Sequence, residues 1–386
     1  MTTSPNEPGP LVYIAVGEDS GDGLGAALVE ALRGQAPGVR FAGLAGPRMR
    51  ALGLTSLFNI ADLSVMGVSA VLARLPMLLA RIATTADDIL RARPDVVVLI
   101  DSPEFNLRVA RRVRRANPSI PIVKYVCPSV WAWRPWRAAK LKPLYDHVLA
   151  LLPFEPALMQ ELGGSPATYV GHPLASRIAP PPGRTVPSAK KTLLLLPGSR
   201  RSEVRLLLPA IERTVDILGE RGNRFRLVLP AAPGVAGDVR TATARWRHQP
   251  EIVEGDHARQ AAFAAADAAL AASGTVLLEL AVARVPTLSI YRLDGMMHWF
   301  RHLITGWTAA LPNLIADRAF LPERIGDMVR PGWLARAIEE LMKEGAARQA
   351  QLDGFEAMAN AMKTDEPPAE IAARIVLRFA RSGRAA

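Results

Sequence analysis

The chain carries a single cysteine, Cys127, in 386 residues, which excludes a disulfide within the chain and a cysteine-built zinc site. Long hydrophobic runs are missing too. Stretches such as Val96-Val97-Val98-Leu99-Ile100 are strand-length and too short to cross a bilayer. The opening residues, Met1 to Pro10, lack a basic n-region and an apolar h-region, so the sequence reads as cytoplasmic with no secretory signal. Aromatics are only 6% of the chain, and no basic stripe interleaved with them is present, which argues against a nucleic-acid partner. No H-E-x-x-H and no D-x-D pair occurs, so neither a metal nor another cofactor is expected. The absence of G-x-S-x-G excludes a serine hydrolase of that design.

What is present supports two cores. Hydrophobic residues make up 49% and charged residues 22%, enough for two domains of near-average size. The net charge of +11 points to a polyanionic partner, either an anionic membrane surface or a phosphate-rich substrate. Most arginines are nevertheless scattered along helical stretches and read as solvated faces.

From residue 11 to about 178 the chain alternates strand and helix. Leu11–Val16, Val39–Leu44, Asp95–Ile100, Ile120–Val126, Asp146–Leu151 and Ala167–Val170 read as strands; Gly25–Arg33 and Leu107–Arg115 read as helices. That rhythm means a parallel sheet covered on both faces. Three prolines at 180–182 then mark a linker over 179–190. The rhythm restarts with Thr192–Leu196 and the helix Ser202–Gly219, followed by strands at Phe225–Leu229, Glu251–Val253, Ala268–Ala271 and Pro286–Tyr291. The expected division is 1–178, linker, 191–355, and a C-terminal helical segment 356–386 that crosses back. The fold class is α/β: two Rossmann-like domains with parallel sheets facing a central cleft.

Four segments could carry chemistry. After the first strand, Gly17 to Ala26 holds Glu18, Asp19, Ser20 and Asp22 at a sheet's carboxyl edge. Its G-x-G-x-x-A register is reminiscent of a dinucleotide loop, but no acid follows the second strand to hold a ribose; capping by Ser20 or Asp22 is the alternative. Asp101, in Ile100-Asp101-Ser102-Pro103-Glu104-Phe105-Asn106, follows a buried strand directly. There it could serve as a general base or as a helix cap before Pro103, and the local pattern leaves both open. Gly198-Ser199-Arg200 ends a strand at a helix start and suits an anion. Ser273-Gly274-Thr275 repeats that arrangement, with Glu279 one turn on for ribose hydroxyls; a displaced capping box is the alternative. Two such starts in one domain are what a nucleoside diphosphate needs. His172 reads as structural.

The stretch Val68 to Ile82 has apolar residues at helical spacing, among them Val68, Leu72, Leu75 and Leu79, with Arg74 and Arg81 seven apart and Pro76 expected to kink it. It fits a core-facing helix, or an interfacial membrane or acyl-chain surface. Met296 to Arg301, continuing to Trp307, is a second apolar-aromatic region.

Together these segments resemble the lipid-A-disaccharide synthase family. The matching pieces run in order: Gly17 to Asp22, Gly43 to Met49, Val65 to Gly67, Ile100 to Asn106, Pro128 to Pro135, Leu152 to Glu155, Tyr169 to Pro173, Leu196 to Val204, Ser273 to Thr275 with Glu279, and Leu311 to Leu314, which contains Asn313. The resemblance implies an inverting GT-B glycosyltransferase. It would join UDP-2,3-diacylglucosamine to 2,3-diacylglucosamine 1-phosphate at the inner face of the cytoplasmic membrane of Gram-negative bacteria. It implies Asp101 as base, with Glu18, Ser20, Asp22 and Asn106 in the substrate loop. Gly198, Ser199, Arg200, Ser273, Gly274, Thr275, Glu279 and Asn313 would bind the nucleotide. A homodimer is left open. The chain departs from the pattern at Asp19, at Trp136 and near Gly326, where a glutamine is usual. The rivals are another GT-B transferase or epimerase, and a non-catalytic UDP- or lipid-binding protein.

Overall fold

A computed structural model describes residues 9–63, 68–132, 134–177, 190–292 and 307–385. The expected linker and the Met296–Arg301 segment fall largely or wholly outside these residues. Two compact units are found: residues 1–173 with 364–386, and residues 174–363.

In the first unit the elements run β1 (Leu11–Val16), α1 (Asp19–Gln35), β2 (Arg40–Leu44), α2 (Pro47–Ala51), α3 (Val68–Ala92), β3 (Val96–Ile100), α4 (Pro103–Ala116), β4 (Ile122–Tyr125), α5 (Arg137–Leu141), β5 (His147–Ala150), α6 (Glu155–Glu161) and β6 (Ala167–Tyr169). All pairings are parallel, in the order β2-β1-β3-β4-β5-β6. All five residues of β3 are fully buried, because helices cover both faces of a parallel sheet. α4 shows how the cover is made. Leu107, Val109, Ala110 and Val113 face the core, and Arg108, Arg111, Arg112 and Arg115 face water.

The second unit holds β7 (Thr192–Leu196), α7 (Arg201–Glu220), β8 (Arg226–Ala231), α8 (Ala236–Thr243), β9 (Glu251–Glu254), α9 (Asp256–Ala265), β10 (Ala268–Ala272), α10 (Val276–Val282), β11 (Thr287–Tyr291), α11 (Leu311–Ala316), β12 (Glu323–Ile325), α12 (Pro331–Met342) and α13 (Ala346–Ala361). Its sheet is also parallel, in the order β12-β11-β10-β7-β8-β9. The last helix, α14 (Pro368–Ser382), returns to the first unit and packs along α1. Its buried residues, Ala372, Ala373, Val376, Leu377 and Phe379, join that unit's core.

Three details differ from the sequence reading. α1 begins at Asp19 rather than Gly25, so the acidic segment is a helix's first turns and not a free loop. The strand β12 was not anticipated, since Glu-Arg-Ile has no apolar run to announce it. α3 runs through Pro76 as one helix.

Candidate active site

Each sheet has one switch point, where successive strands were laid down in opposite directions from the first. In the first unit it lies between β1 and β3, and in the second between β7 and β10. Loops leaving the carboxyl ends there form the ligand crevice of open parallel sheets. These are the loops after β1 and β3, carrying Glu18, Ser20 and Asp101, and those after β7 and β10, carrying Arg200 and Ser273-Gly274-Thr275.

At the first switch point Asp101 and Ser102 are successive left-handed residues, with φ of 51° and 40°. Each costs about 1 kcal/mol or more for a residue with a side chain. Asn106 supports this turn: its Nδ2 donates to the carbonyls of Ile100 at 3.0 Å and Asp101 at 2.7 Å. Lys124, deep in β4, donates to the same Asp101 carbonyl. The Asp101 carboxylate is half-buried, and Ser20 Oγ donates to its Oδ2 at 2.8 Å. Close beside it, burial and then Asp101 raise the Glu18 carboxyl above its ordinary range, while a hydrogen bond with Ser102 and the charge of Lys124 oppose that. Gly17 is required here because a Cβ would stand 2.0 Å from Ser102 Oγ.

Two of the expected substrate-loop residues are structural. Asp22 is buried and accepts the backbone N–H groups of Arg48 at 2.7 Å and Met49 at 3.2 Å. It caps α2 from a distance, one N–H on each carboxylate oxygen. Asn106 is fully buried beneath the Asp101 turn and touches no solvent. Glu18, Ser20 and Asp101 lie together at this switch point.

Beside this group lies a cavity of about 390 Å³, lined by Leu63, Leu75, Leu78, Leu79, Ile82 and Phe105, and reaching Glu18 and Ser102. Leu75 and Leu79 of α3 are 36% and 48% exposed, and Arg74 is exposed. Arg81 is not a free surface cation: it pairs with Asp62 at 2.6 Å and lies over Phe58. The side chains of Val68 and Leu72 lie outside the described residues. His172 is held neutral, with burial lowering it to about 4, as suits a structural histidine.

In the second unit the turn after β7 differs from expectation. The N–H groups of Ser199 and Arg200 point at Glu203 Oε2, at 3.1 and 3.3 Å, and Arg200 Nη1 bonds Glu203 Oε1 at 2.8 Å. The chain's own carboxylate fills the expected anion position. Gly198 allows it, at φ 107° with no Cβ to strike Glu203. The Arg200 side chain remains 60% exposed. After β10, Gly274 and Thr275 are exposed, and no described residue accepts from their N–H groups. Glu279 pairs with Arg259 at 3.0 Å and keeps a partly exposed side chain.

Asn313 is likewise internal. Its Oδ1 accepts the N–H groups of Phe320 and Leu321, and its Nδ2 donates to the Leu321 carbonyl at 2.9 Å. It clamps the chain entering β12, with Glu323 bonding Thr308 and the Ala309 N–H. Lys124, Glu203 and Arg259 were missed by the sequence reading. Lys124 alone had a signal, a lysine inside an otherwise apolar strand.

Two doubly wound parallel sheets, each with polar groups gathered at its switch point, make up a GT-B fold. Among solved structures the fold is shared with Staphylococcus aureus MnaA in a UDP co-structure, 14% identical at TM-score 0.62, over 96% of this chain and 95% of that one. It is also shared with Acinetobacter baumannii MurG, 14% identical at TM-score 0.55, over 95% and 99%. The model of the family described as lipid-A-disaccharide synthetase matches residues 12–375. Similar proteins named lipid-A-disaccharide synthase come from Rhodopseudomonas palustris, 46% identical over 96% of both chains, and Nitrobacter winogradskyi, 43% identical over 98% of both. The chain belongs to the lipid-A-disaccharide synthetase family. It is a hexosyltransferase of lipid A biosynthesis, and its reaction is the family's, joining UDP-2,3-diacylglucosamine to 2,3-diacylglucosamine 1-phosphate with release of UDP.

The Asn313 clamp is directly testable. Asn313→Ala leaves three buried backbone groups without their partner and should cost about 2–4 kcal/mol of stability. Thermal melts should show a lowered Tm, whereas a contact to nucleotide alone would leave the unliganded protein's Tm unchanged.

Proposed function

We propose that Asp101 is the general base of the transfer and that the second unit's switch-point loops hold the donor's diphosphate. The observation that carries this is the Asp101 carboxylate itself, half-buried at the end of β3 and oriented by Ser20 at 2.8 Å. Its other oxygen, Oδ1, takes no hydrogen bond from the described residues and is available to an acceptor hydroxyl. In the reaction the acceptor's 6-hydroxyl attacks the anomeric carbon, the bond to the UDP oxygen breaks, and the hydroxyl proton passes to the carboxylate. Such a centre develops oxocarbenium character, so the base acts as the new bond forms. The departing diphosphate gains charge, which the exposed Arg200 guanidinium and the open N–H groups of Gly274 and Thr275 would stabilise. Glu203 gives way to phosphate at the turn after β7, or stays and holds Arg200 in place.

Both sugar substrates carry acyl chains, and the apolar cavity beside Asp101 supports a place for one of them. Among the described residues no helix is long and apolar enough to cross a membrane. The exposed Leu75 and Leu79, with Arg74 on the same helix and Arg108 lining the cavity from α4, support contact with an anionic lipid surface instead. That would put the enzyme peripherally on the inner face of the cytoplasmic membrane.

Two measurements test these readings. Asp101→Asn should lower the rate of disaccharide formation by roughly 100-fold or more with an unchanged circular dichroism spectrum; near-normal turnover would remove Asp101 from the role. Replacing both Leu75 and Leu79 by Ser should weaken binding to anionic phospholipid vesicles by roughly tenfold. Unaltered co-sedimentation would show that this face does not meet lipid.

A further inference from the structure

Lys124 lies in β4 between β3 and β5, where a parallel sheet ordinarily places valine or isoleucine, and it is only 2% exposed. Its ammonium ends at the Asp101 carbonyl, which already accepts Asn106 Nδ2 at 2.7 Å. A carbonyl needing only a strut is served by the neutral amide. A buried cation is costly in addition, so its charge must answer something nearby. The titratable groups that face it are Asp101 beyond β3, Cys127 beyond β4 and Glu18 beyond β1. Two of these are carboxyls set close together at the switch point.

We propose that Lys124 is a positioning residue for the transfer: it holds the Asp101 turn through its carbonyl and supplies a counter-charge to the carboxyls gathered at that switch point. The proposal rests on Asp101 acting as the base. Burial lowers the lysine to about 8, with Asp101, Cys127 and Glu18 acting in the opposite direction, so it is mostly cationic at neutral pH. At Glu18 burial and Asp101 disfavour the charged carboxylate, while a hydrogen bond with Ser102 and then the charge of Lys124 favour it. Removing the cation therefore penalises the ionised carboxyl pair most at low pH, where protonation competes.

The test is the pH dependence of kcat/KM between pH 5 and 9 (an assay range chosen to bracket the ordinary carboxyl and lysine titrations) for the wild type, Lys124→Met, Lys124→Gln and Asp101→Asn. Both Lys124 variants should have the acid limb moved up by about one pH unit, so that the loss approaches about tenfold only on the acid side of the limb and shrinks steadily as the pH rises above it. Their affinity for UDP should match the wild type's. An equal loss at every pH, or a wild-type profile in Lys124→Gln, would overturn the counter-charge role. Should neither Lys124 variant fold, Glu18→Gln gives an independent reading. Deleting one carboxyl should move the acid limb to lower pH, and an unmoved limb contradicts the proposal. Asp101→Asn separates the two ideas: normal turnover there sinks the base and this proposal with it. A dead Asp101→Asn beside unmoved limbs sinks only the role given to Lys124.

Discussion

The left-handed turn at Asp101 and Ser102 is the constraint on which the first unit's chemistry depends. Neither residue is glycine, so the conformation persists only because its surroundings impose it. The Asp101 carbonyl is pulled inward by Asn106 and Lys124, Gly17 leaves room for Ser102, and Ser20 takes hold of the carboxylate. Those groups come from α4, β4, the end of β1 and the start of α1. The sheet's strand order is what brings them to one place.

In the second unit the unliganded chain satisfies its own binding groups. Glu203 fills the N–H turn after β7, and Arg259 holds Glu279. A helix start is an anion site by virtue of its free N–H groups and dipole, and a glutamate one turn on can occupy it as well as a phosphate can. Arg200, although bonded to Glu203, keeps a side chain 60% exposed, and the turn at Gly274 and Thr275 is exposed as well. The two helix starts that looked equivalent in sequence are therefore unlike in structure.

Much of the architecture was legible in the sequence, because buried parallel strands are continuous apolar runs: Leu11–Val16 and Thr192–Leu196 fall where the pattern places them. β12 was not legible, being three half-buried residues with two charges. At the site, Asp101 could be found because a carboxylate directly after a buried strand is conspicuous. Asp22, Asn106 and Asn313, expected as ligand contacts, are instead seen bonded to the chain's own backbone, which the sequence could not show. A polar residue in a family motif looks the same in sequence whether it meets a ligand or an orphan backbone group. Only burial distinguishes them, and all three are almost completely buried. Arg81 was misjudged similarly, since its pairing with Asp62 spans nineteen residues and leaves no local trace.

We propose a division of labour, with proton abstraction at Asp101 in the first unit and diphosphate binding by Arg200 and the turn at Ser273 to Thr275 in the second. Calorimetric titration of UDP into the wild type, Asp101→Asn and Arg200→Ala tests it most directly. Asp101→Asn should bind UDP with wild-type affinity, and Arg200→Ala should lose roughly tenfold to 100-fold, the worth of one charge-assisted contact. Weakened UDP binding in Asp101→Asn, with full affinity in Arg200→Ala, would contradict it.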